Sequence, residues 1–225
     1  MRSLLSAIPF FQNRAPFEVV PLQGQGRCNT TYRVATKKGS YIVRKLQRSD
    51  IDRDLEWQIQ HLAYRAGLTA KPLLFDQTYG VMVFALLPGQ HRYTLNEAAL
   101  QTLARQLRTL HQIPLKMSPI ILHTDTTLIE CFPKTYTLCH NDLNPTNLLW
   151  DNTEVKLIDF EYAGVNDCYF DLASVSVEFG LDEKMRQIFL EAYFGGRDFS
   201  LEKLSAYMAC YCQLCEAWQQ ETLPT

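Results

Sequence analysis

The stretch Cys139-His140-Asn141-Asp142-Leu143-Asn144-Pro145-Thr146-Asn147-Leu148-Leu149, with Val155-Lys156-Leu157-Ile158-Asp159-Phe160-Glu161 close behind it, constrains this chain more than any other. It holds a His-x-Asp, an Asn at 147 five residues after Asp142, and a further Asp at 159 closing an apolar run. These side chains offer hard oxygen donors. Mg2+ prefers oxygen ligands and keeps several waters, so Asn147 and Asp159 are enough protein ligands when phosphate oxygens complete the shell. Asp142 is then left to orient an attacking hydroxyl and accept its proton. That division suits phosphoryl transfer, where the protein mainly positions a highly charged group and metal neutralises it. Pro145 keeps the segment out of regular helix, and Leu148-Leu149-Trp150 reads as a short buried strand.

Taken together and in order, these residues resemble the aminoglycoside phosphotransferase and choline kinase superfamily, relatives of the protein kinases. The resemblance is carried by His140, Asp142, Asn147, the run Leu157-Ile158-Asp159-Phe160-Glu161-Tyr162-Ala163-Gly164-Val165-Asn166-Asp167, and Phe170-Asp171-Leu172-Ala173. The Asp-to-Asn spacing is that of a kinase catalytic loop, with a metal-binding Asp soon after it. Glu161 stands where protein kinases carry Gly, and the Tyr-small-Gly stretch after it looks like choline, ethanolamine and thiamine kinases in particular. The likeness is strong over residues 136–178 and fainter over 20–90. It implies an α+β, bilobal, protein-kinase-like fold. Residues 1–87 would form a small nucleotide-binding lobe of antiparallel sheet plus helix. Residues 88–225 would form a larger, mainly helical lobe for catalysis and substrate binding. ATP and Mg2+ are the implied cofactors. By the same resemblance His140 braces the loop rather than transferring protons, and Asp171 caps a helix and ties it back to the loop.

In the expected small lobe, Pro21 to Val34 reads as strand, glycine turn, strand, with Gly24 and Gly26 at the turn. Glycines let backbone N–H groups approach phosphate oxygens closely. The family's nucleotide loop would lie here with Asn29 and Thr30, although Gly-x-Gly alone suits an ordinary hairpin too. A second hairpin turns at Lys38-Gly39 and returns through Ile42-Val43-Arg44-Lys45. Resemblance makes Arg44 the cation that holds the α/β phosphates, and strand alternation points Lys45 to the opposite face. Asp50 to Ala66 reads as a helix with Asp50 as N-cap, an apolar stripe at Leu55, Ile59, Leu62 and Ala63, and Gly67 as its stop. Glu56 occupies the place of the family's partner for the strand cation, or else is a solvated helical Glu. Residues 73–75 and 80–87 read as buried strands ended by Pro88-Gly89, and main chain at 84–87, with Phe84 and Leu86 as candidates, would bond the adenine.

Thr94 to His111 reads as a helix with a Thr94/Glu97 capping box and a stripe of Leu100, Leu103, Ala104, Leu107 and Leu110. His111 reads as a packing or capping histidine. Leu201 to Gln220 is the last helix, with Tyr207, Tyr211, Leu214 and Trp218 on one face. Cys210, Cys212 and Cys215 read as small core residues, since they lack the paired turns of a zinc site. Cys212 and Cys215 stand where choline kinases often carry the tryptophans that cage a quaternary ammonium. The expected acceptor is nevertheless a small cationic alcohol of thiamine, choline or ethanolamine type, attracted by Glu161, Asp167 and Glu178. An aminoglycoside kinase and a nucleotide-binding pseudokinase are the alternatives, and a protein kinase is disfavoured by Glu161 and the lack of an Ala-Pro-Glu element.

Composition narrows the rest. The 225 residues are 47% hydrophobic and 20% charged, enough for a full core. A net charge of −2 without a Lys/Arg run argues against nucleic acid as the main partner. Seven cysteines and no export signal suggest free thiols in a reducing, cytoplasmic setting. The apolar patch at Leu4-Leu5 and Ala7-Ile8 is cut by Pro9, and no run is long enough for a membrane span. No Gly-x4-Gly-Lys-Ser/Thr occurs, which disfavours a P-loop enzyme.

Overall fold

A computed structural model describes residues 1–22 and 29–222, so the predicted loop glycines Gly24 and Gly26 lie outside the described residues. The chain divides into two compact units, Met1–Pro88 and Gly89–Thr225. The first contains α1 (Arg2–Ala7), α2 (Pro9–Gln12), β1 (Pro16–Pro21), β2 (Asn29–Thr36), β3 (Gly39–Leu46), α3 (Arg53–Arg65), β4 (Pro72–Asp76) and β5 (Val81–Ala85). Its strands form one antiparallel sheet in the order β1-β2-β3-β5-β4.

Strand periodicity explains why helices lie on both faces of this sheet. In β5, Val81 and Val83 face one way and join Val34, Val43, Leu5, Ile8 and Phe11 in a buried cluster. Met82 and Phe84 face the other way, where Trp57 of α3 packs on them. A strand buried on both faces reads as a continuous apolar run, as 81–85 does. The N-terminal residues Leu4 to Phe11, to which sequence reasoning gave no role, thus cover one side of the sheet. Phe10 and Phe11 meet Tyr41 edge-on, with ring centroids 5.3 and 6.1 Å away.

Helix α3 starts later than expected. Asp52 is its N-cap, accepting from Leu55 N at 2.9 Å, while Asp50 pairs with Arg48. The stop at Gly67 is as expected. Its φ of 76° lets Gly67 N–H reach Tyr64 O at 2.9 Å and Leu68 N–H reach Ala63 O at 3.0 Å, satisfying the last carbonyls.

The second unit contains α4 (Glu97–His111), α5 (Thr127–Glu130), β6 (Tyr136–Cys139), a 3₁₀ turn (Pro145–Asn147), β7 (Leu148–Asp151), β8 (Glu154–Leu157), β9 (Gly164–Asp167), α6 (Cys168–Glu178), α7 (Glu183–Phe194) and α8 (Leu201–Thr222). β6 pairs with β9 and β7 with β8, both antiparallel. α4 packs on α7, and α6 on α8. The expected stripe of α4 is fully buried, but its cap is Asn96, which accepts from Ala99 N at 2.9 Å, and not Thr94. Asn caps at least as well as Thr, and starting at Glu97 leaves that carboxylate to meet Lys184 at 2.8 Å. Residues Cys168–Ser176 of α6 are buried on every side, the pattern of a helix enclosed by its neighbours.

No helix among the described residues is long and apolar enough to cross a membrane. The six cysteines described are free thiols.

Because Phe11 is 1% exposed within the sheet-covering cluster, Phe11→Ala should cost about 3–5 kcal/mol. Urea unfolding followed by circular dichroism measures this. A loss below about 1 kcal/mol would show that the N-terminal helices are not part of the core.

Candidate active site

The loop from His140 to Asn147 is irregular, so its backbone groups need partners from outside the ladders. Asp171, fully buried in the first turn of α6, supplies them. Its Oδ2 accepts from His140 N and its Oδ1 from Asn141 N, each at 2.8 Å. Since a carboxylate only accepts, His111 donates its Nε2–H to Oδ2 at 3.0 Å, and its Nδ1 is hydrogen-bonded to the Tyr193 hydroxyl at 2.6 Å. His111 is thus the brace of a brace. The helix cap expected of Asp171 is made instead by Asp167, which accepts from Tyr169 N at 2.9 Å. Asn141 turns the chain at φ 65°, a conformation Asn tolerates, and Asn166 donates to its Oδ1 at 2.9 Å.

His140 donates Nε2–H to Ile158 O at 2.9 Å, and its ring packs on Phe160 at 4.8 Å. Its Nδ1 is buried with no hydrogen-bond partner among the described residues. Through the Ile158 and Phe160 contacts the ring ties the loop to the segment around Asp159.

Asp142 is half-buried. Asn144 Nδ2 donates to its Oδ1 at 3.0 Å and Asn147 Nδ2 to its Oδ2 at 2.8 Å. Burial pushes its carboxyl above the ordinary value, and the Asp159 carboxylate pushes the same way, against the pull of nearby His140 and of the amide bonds. Committing the Asn147 nitrogen to Asp142 leaves its Oδ1 as the atom that can face a cation. The β7–β8 hairpin explains why Asp159 is near. Leu148 pairs with Leu157 and Ile158 N–H reaches Asn147 O at 3.0 Å, so the residues just before β7 and just after β8 lie side by side. Asp159, at φ 68°, and Asn147 are therefore the two oxygen donors here that could hold Mg2+. A second triple, His111, Cys139 and Asp171, has its ligand atoms within 4.8 Å of one another. Its donors are spent on the bonds above, and burial pushes the Cys139 thiol well up, so it is no metal centre.

In the first unit, Arg44 and Glu56 are both buried and paired at 2.6 Å (Nη1 to Oε1). Lys45 points the other way and donates to Tyr79 O at 2.6 Å. Asn29 is buried at the start of β2, and Thr30 beside it accepts from Gln47 at 2.8 Å. A residue that sequence reasoning missed, Arg53, joins this group through Glu56 Oε2 at 2.6 Å and Asn29 Oδ1 at 3.1 Å. Its spacing of three from Glu56 on a helix was the available signal. Phe84 lies within β5 between Ile42 and Pro72, its side chain in the core, whereas Leu86 sits exposed past the end of that strand.

The acidic residues expected near a cationic substrate separate. Asp167 is 1% exposed and already paired with Lys203 at 2.8 Å, so it is removed from that role. Glu178 is half-buried and accepts from Tyr211 OH at 2.9 Å; Glu161 lies in the turn after Phe160. Tyr207 belongs to the core, Trp218 is 46% exposed, and Cys212 and Cys215 are half-buried where Cys210 is buried.

A carboxyl whose folded-state pKa is raised weakens the fold once it ionises. That penalty is absent below the ordinary carboxylate value of 3.8 and complete above the raised one. Asp142→Asn should therefore unfold at a higher temperature than the parent at pH 7, with the gap closing as pH falls toward 3.8. A gap that is independent of pH would contradict it.

Residues 19–120 and 122–207 match the phosphotransferase enzyme family. The LicA protein of Haemophilus influenzae is 42% identical over 55 residues, which are 24% of this chain and 21% of that protein. The chain thus spans about a fifth of the length of that curated relative. Many solved structures share the fold, two of them as follows. A choline/ethanolamine kinase family protein from Mesorhizobium loti gives a TM-score of 0.77 at 23% identity, covering 98% of this chain and 84% of that one. Choline kinase LicA from Streptococcus pneumoniae gives 0.75 at 22%, covering 93% and 88%. With a matching loop, sheet and helical framework, this chain belongs to the phosphotransferase enzyme family and has its protein-kinase-like fold.

Proposed function

We propose that this protein transfers the γ-phosphoryl group of Mg·ATP to the hydroxyl of a small cationic alcohol of choline, ethanolamine or thiamine type. The observation that carries the proposal is Asp142. It is a desolvated carboxylate held by Asn144 and Asn147, with Asp159 beside it. A base with a raised pKa accepts a proton more readily than an ordinary surface Asp. Asp142 would orient the acceptor hydroxyl and take its proton as the oxygen attacks the phosphorus. His140 and Asp171 would hold the loop in register meanwhile.

Asn147 and Asp159 would hold Mg2+, which supplies charge neutralisation for the phosphates. Arg44, steadied by Glu56, would bind phosphate oxygens through a guanidinium suited to them. Main chain after β5, at Leu86, is the candidate for adenine recognition. Glu178, half-buried and accepting from Tyr211 OH, is the candidate acid for an ammonium group. Choline kinase LicA and the choline/ethanolamine kinase family protein share the fold, which supports this acceptor class.

An ADP-release assay with Mg·ATP and a panel of choline, ethanolamine, thiamine, homoserine and kanamycin tests the reading. One cationic alcohol should stand out, and Asp142→Asn should lower kcat by at least about 10²-fold while ATP binding persists. Glu178→Gln should raise KM for the cationic acceptor and leave KM for ATP in place. Equal rates across cationic and neutral alcohols would refute the acceptor class. ATP binding without turnover of any compound would favour a pseudokinase.

A further inference from the structure

Two of the three non-glycine residues at positive φ among the described residues border the proposed reaction. Asn141, at 65°, comes directly before Asp142, and Asp159, at 68°, is one of the two candidate metal ligands. Asparagine commonly visits this region by bonding its own neighbouring backbone. Asn141 is held differently. Its Oδ1 accepts from Asn166 Nδ2 at 2.9 Å, and its Nδ2 donates to Tyr162 O at 3.0 Å and reaches Gly164 O at 3.5 Å. These partners lie 21 to 25 residues away in sequence, so the hold on the loop is tertiary.

Asn166 sits in β9 opposite Thr137 of β6 and is 5% exposed, so solvent does little to replace a bond it fails to make. Its own Oδ1 accepts from Asp167 N at 2.8 Å, which leaves its Nδ2 to face Asn141. With a donor on Asn141 Oδ1, the Asn141 nitrogen is the atom that meets the Tyr162 carbonyl. Each amide therefore fixes the orientation of the other. Flipping Asn141 would set its oxygen against Tyr162 O, and flipping Asn166 would set oxygen against oxygen at Asn141. The pair joins the segment that carries Asp142 to the segment 159–164 that begins at Asp159. β9 is a firm base for it, because Asp167 beside Asn166 is paired with Lys203 of α8 at 2.8 Å.

We propose that Asn166 is a positioning residue for phosphoryl transfer, an orientation lock that acts through Asn141 to hold Asp142 at a fixed place relative to Asp159. The proposal rests on the phosphotransfer reading given above. What position 166 requires is a donor and an acceptor on one short side chain. Asn166→Asp keeps the shape but turns an acceptor toward Asn141 Oδ1, and a flip of Asn141 cannot relieve that clash because Tyr162 O waits on the other side. A lock of this kind governs how well the reacting groups are aligned, which is expressed in rate more than in affinity.

Steady-state kinetics and hydrogen-exchange mass spectrometry of the parent, Asn166→Ala, Asn166→Asp, Asn141→Gly and the Asn141→Gly/Asn166→Ala double variant are the test, run well below every thermal midpoint. Asn141→Gly accepts the positive φ without strain, so it removes only the amide, and it is the decisive variant if changes at 166 do not fold. Asn166→Ala should lower kcat by about 10–10²-fold, with KM for ATP and for the acceptor within about twofold of the parent. Asn166→Asp should do no better than Asn166→Ala, although it is closer in shape. The double variant should lose no more than about twofold beyond the worse single variant, since both changes break one lock. Amide exchange over residues 139–147 should quicken in each variant while α4 and α7 keep the parent's rates. A purely structural asparagine would lower the thermal midpoint and leave kcat of the folded protein in place, and that result would overturn the proposal. So would an Asn166→Asp variant close to the parent, losses that multiply in the double variant, or unchanged exchange over the loop. A parent that turns over no acceptor would overturn the phosphotransfer reading itself, and the exchange measurement, which needs no turnover, would still decide the lock.

Discussion

Everything around the catalytic loop depends on one buried carboxylate accepting two backbone N–H bonds. Asp171 binds His140 N and Asn141 N, and His111 completes its shell. A loop that must present Asp142 and Asn147 cannot also satisfy its amides in a ladder. The missing acceptors have to come from a rigid element, and α6 is rigid because it is enclosed on all sides. A charge buried there is tolerable because every strong donor pointing at it comes from protein already fixed in place.

Two other carboxylates of the same unit show how environment separates roles. Asp167, four residues before Asp171, is neutralised by Lys203, whose ammonium also lies over the ring of Tyr169 at 4.5 Å. Its charge is spent on joining α8 to the start of α6. Asp142 accepts from the side-chain amides of Asn144 and Asn147, and burial, with the Asp159 carboxylate nearby, raises its carboxyl. A raised carboxyl costs stability once it ionises. One acid is thus spent on holding the fold, while the other is the one proposed above as the base.

The sequence made legible what depends on local order. The His-x-Asp and its Asn, the apolar run before Asp159, the hairpins of the sheet, and the stripe of α4 all follow from spacing within a few residues. The Arg44–Glu56 pair came from resemblance, and the geometry bears it out as an ion pair. Caps were misplaced because competing residues stood nearby. Asp50 and Asp52 both qualify on type, as do Thr94 and Asn96, and only tertiary pairing decides between them. The role of Leu5, Ile8 and Phe11 was hidden because their partners Val34, Val43 and Val83 are distant in sequence. His111 illustrates the same limit, since Asp171 and Tyr193 lie 60 and 82 residues away.

Substrate-side residues were the least legible, and the reason is physical. An acidic side chain attracts a cation only if no internal cation has reached it first, and sequence does not show who reaches whom. Asp167 and Glu178 look equivalent as letters. Lys203 removes the first by pairing with it in the interior, whereas the second accepts from the hydroxyl of Tyr211. The aromatic residues divide in the same way. Tyr207 is enclosed and Tyr211 is buried too, yet the hydroxyl of Tyr211 is turned to the acid that remains available. In the proposed function, specificity would lie less in which residues are present than in which of their charges the fold has already neutralised.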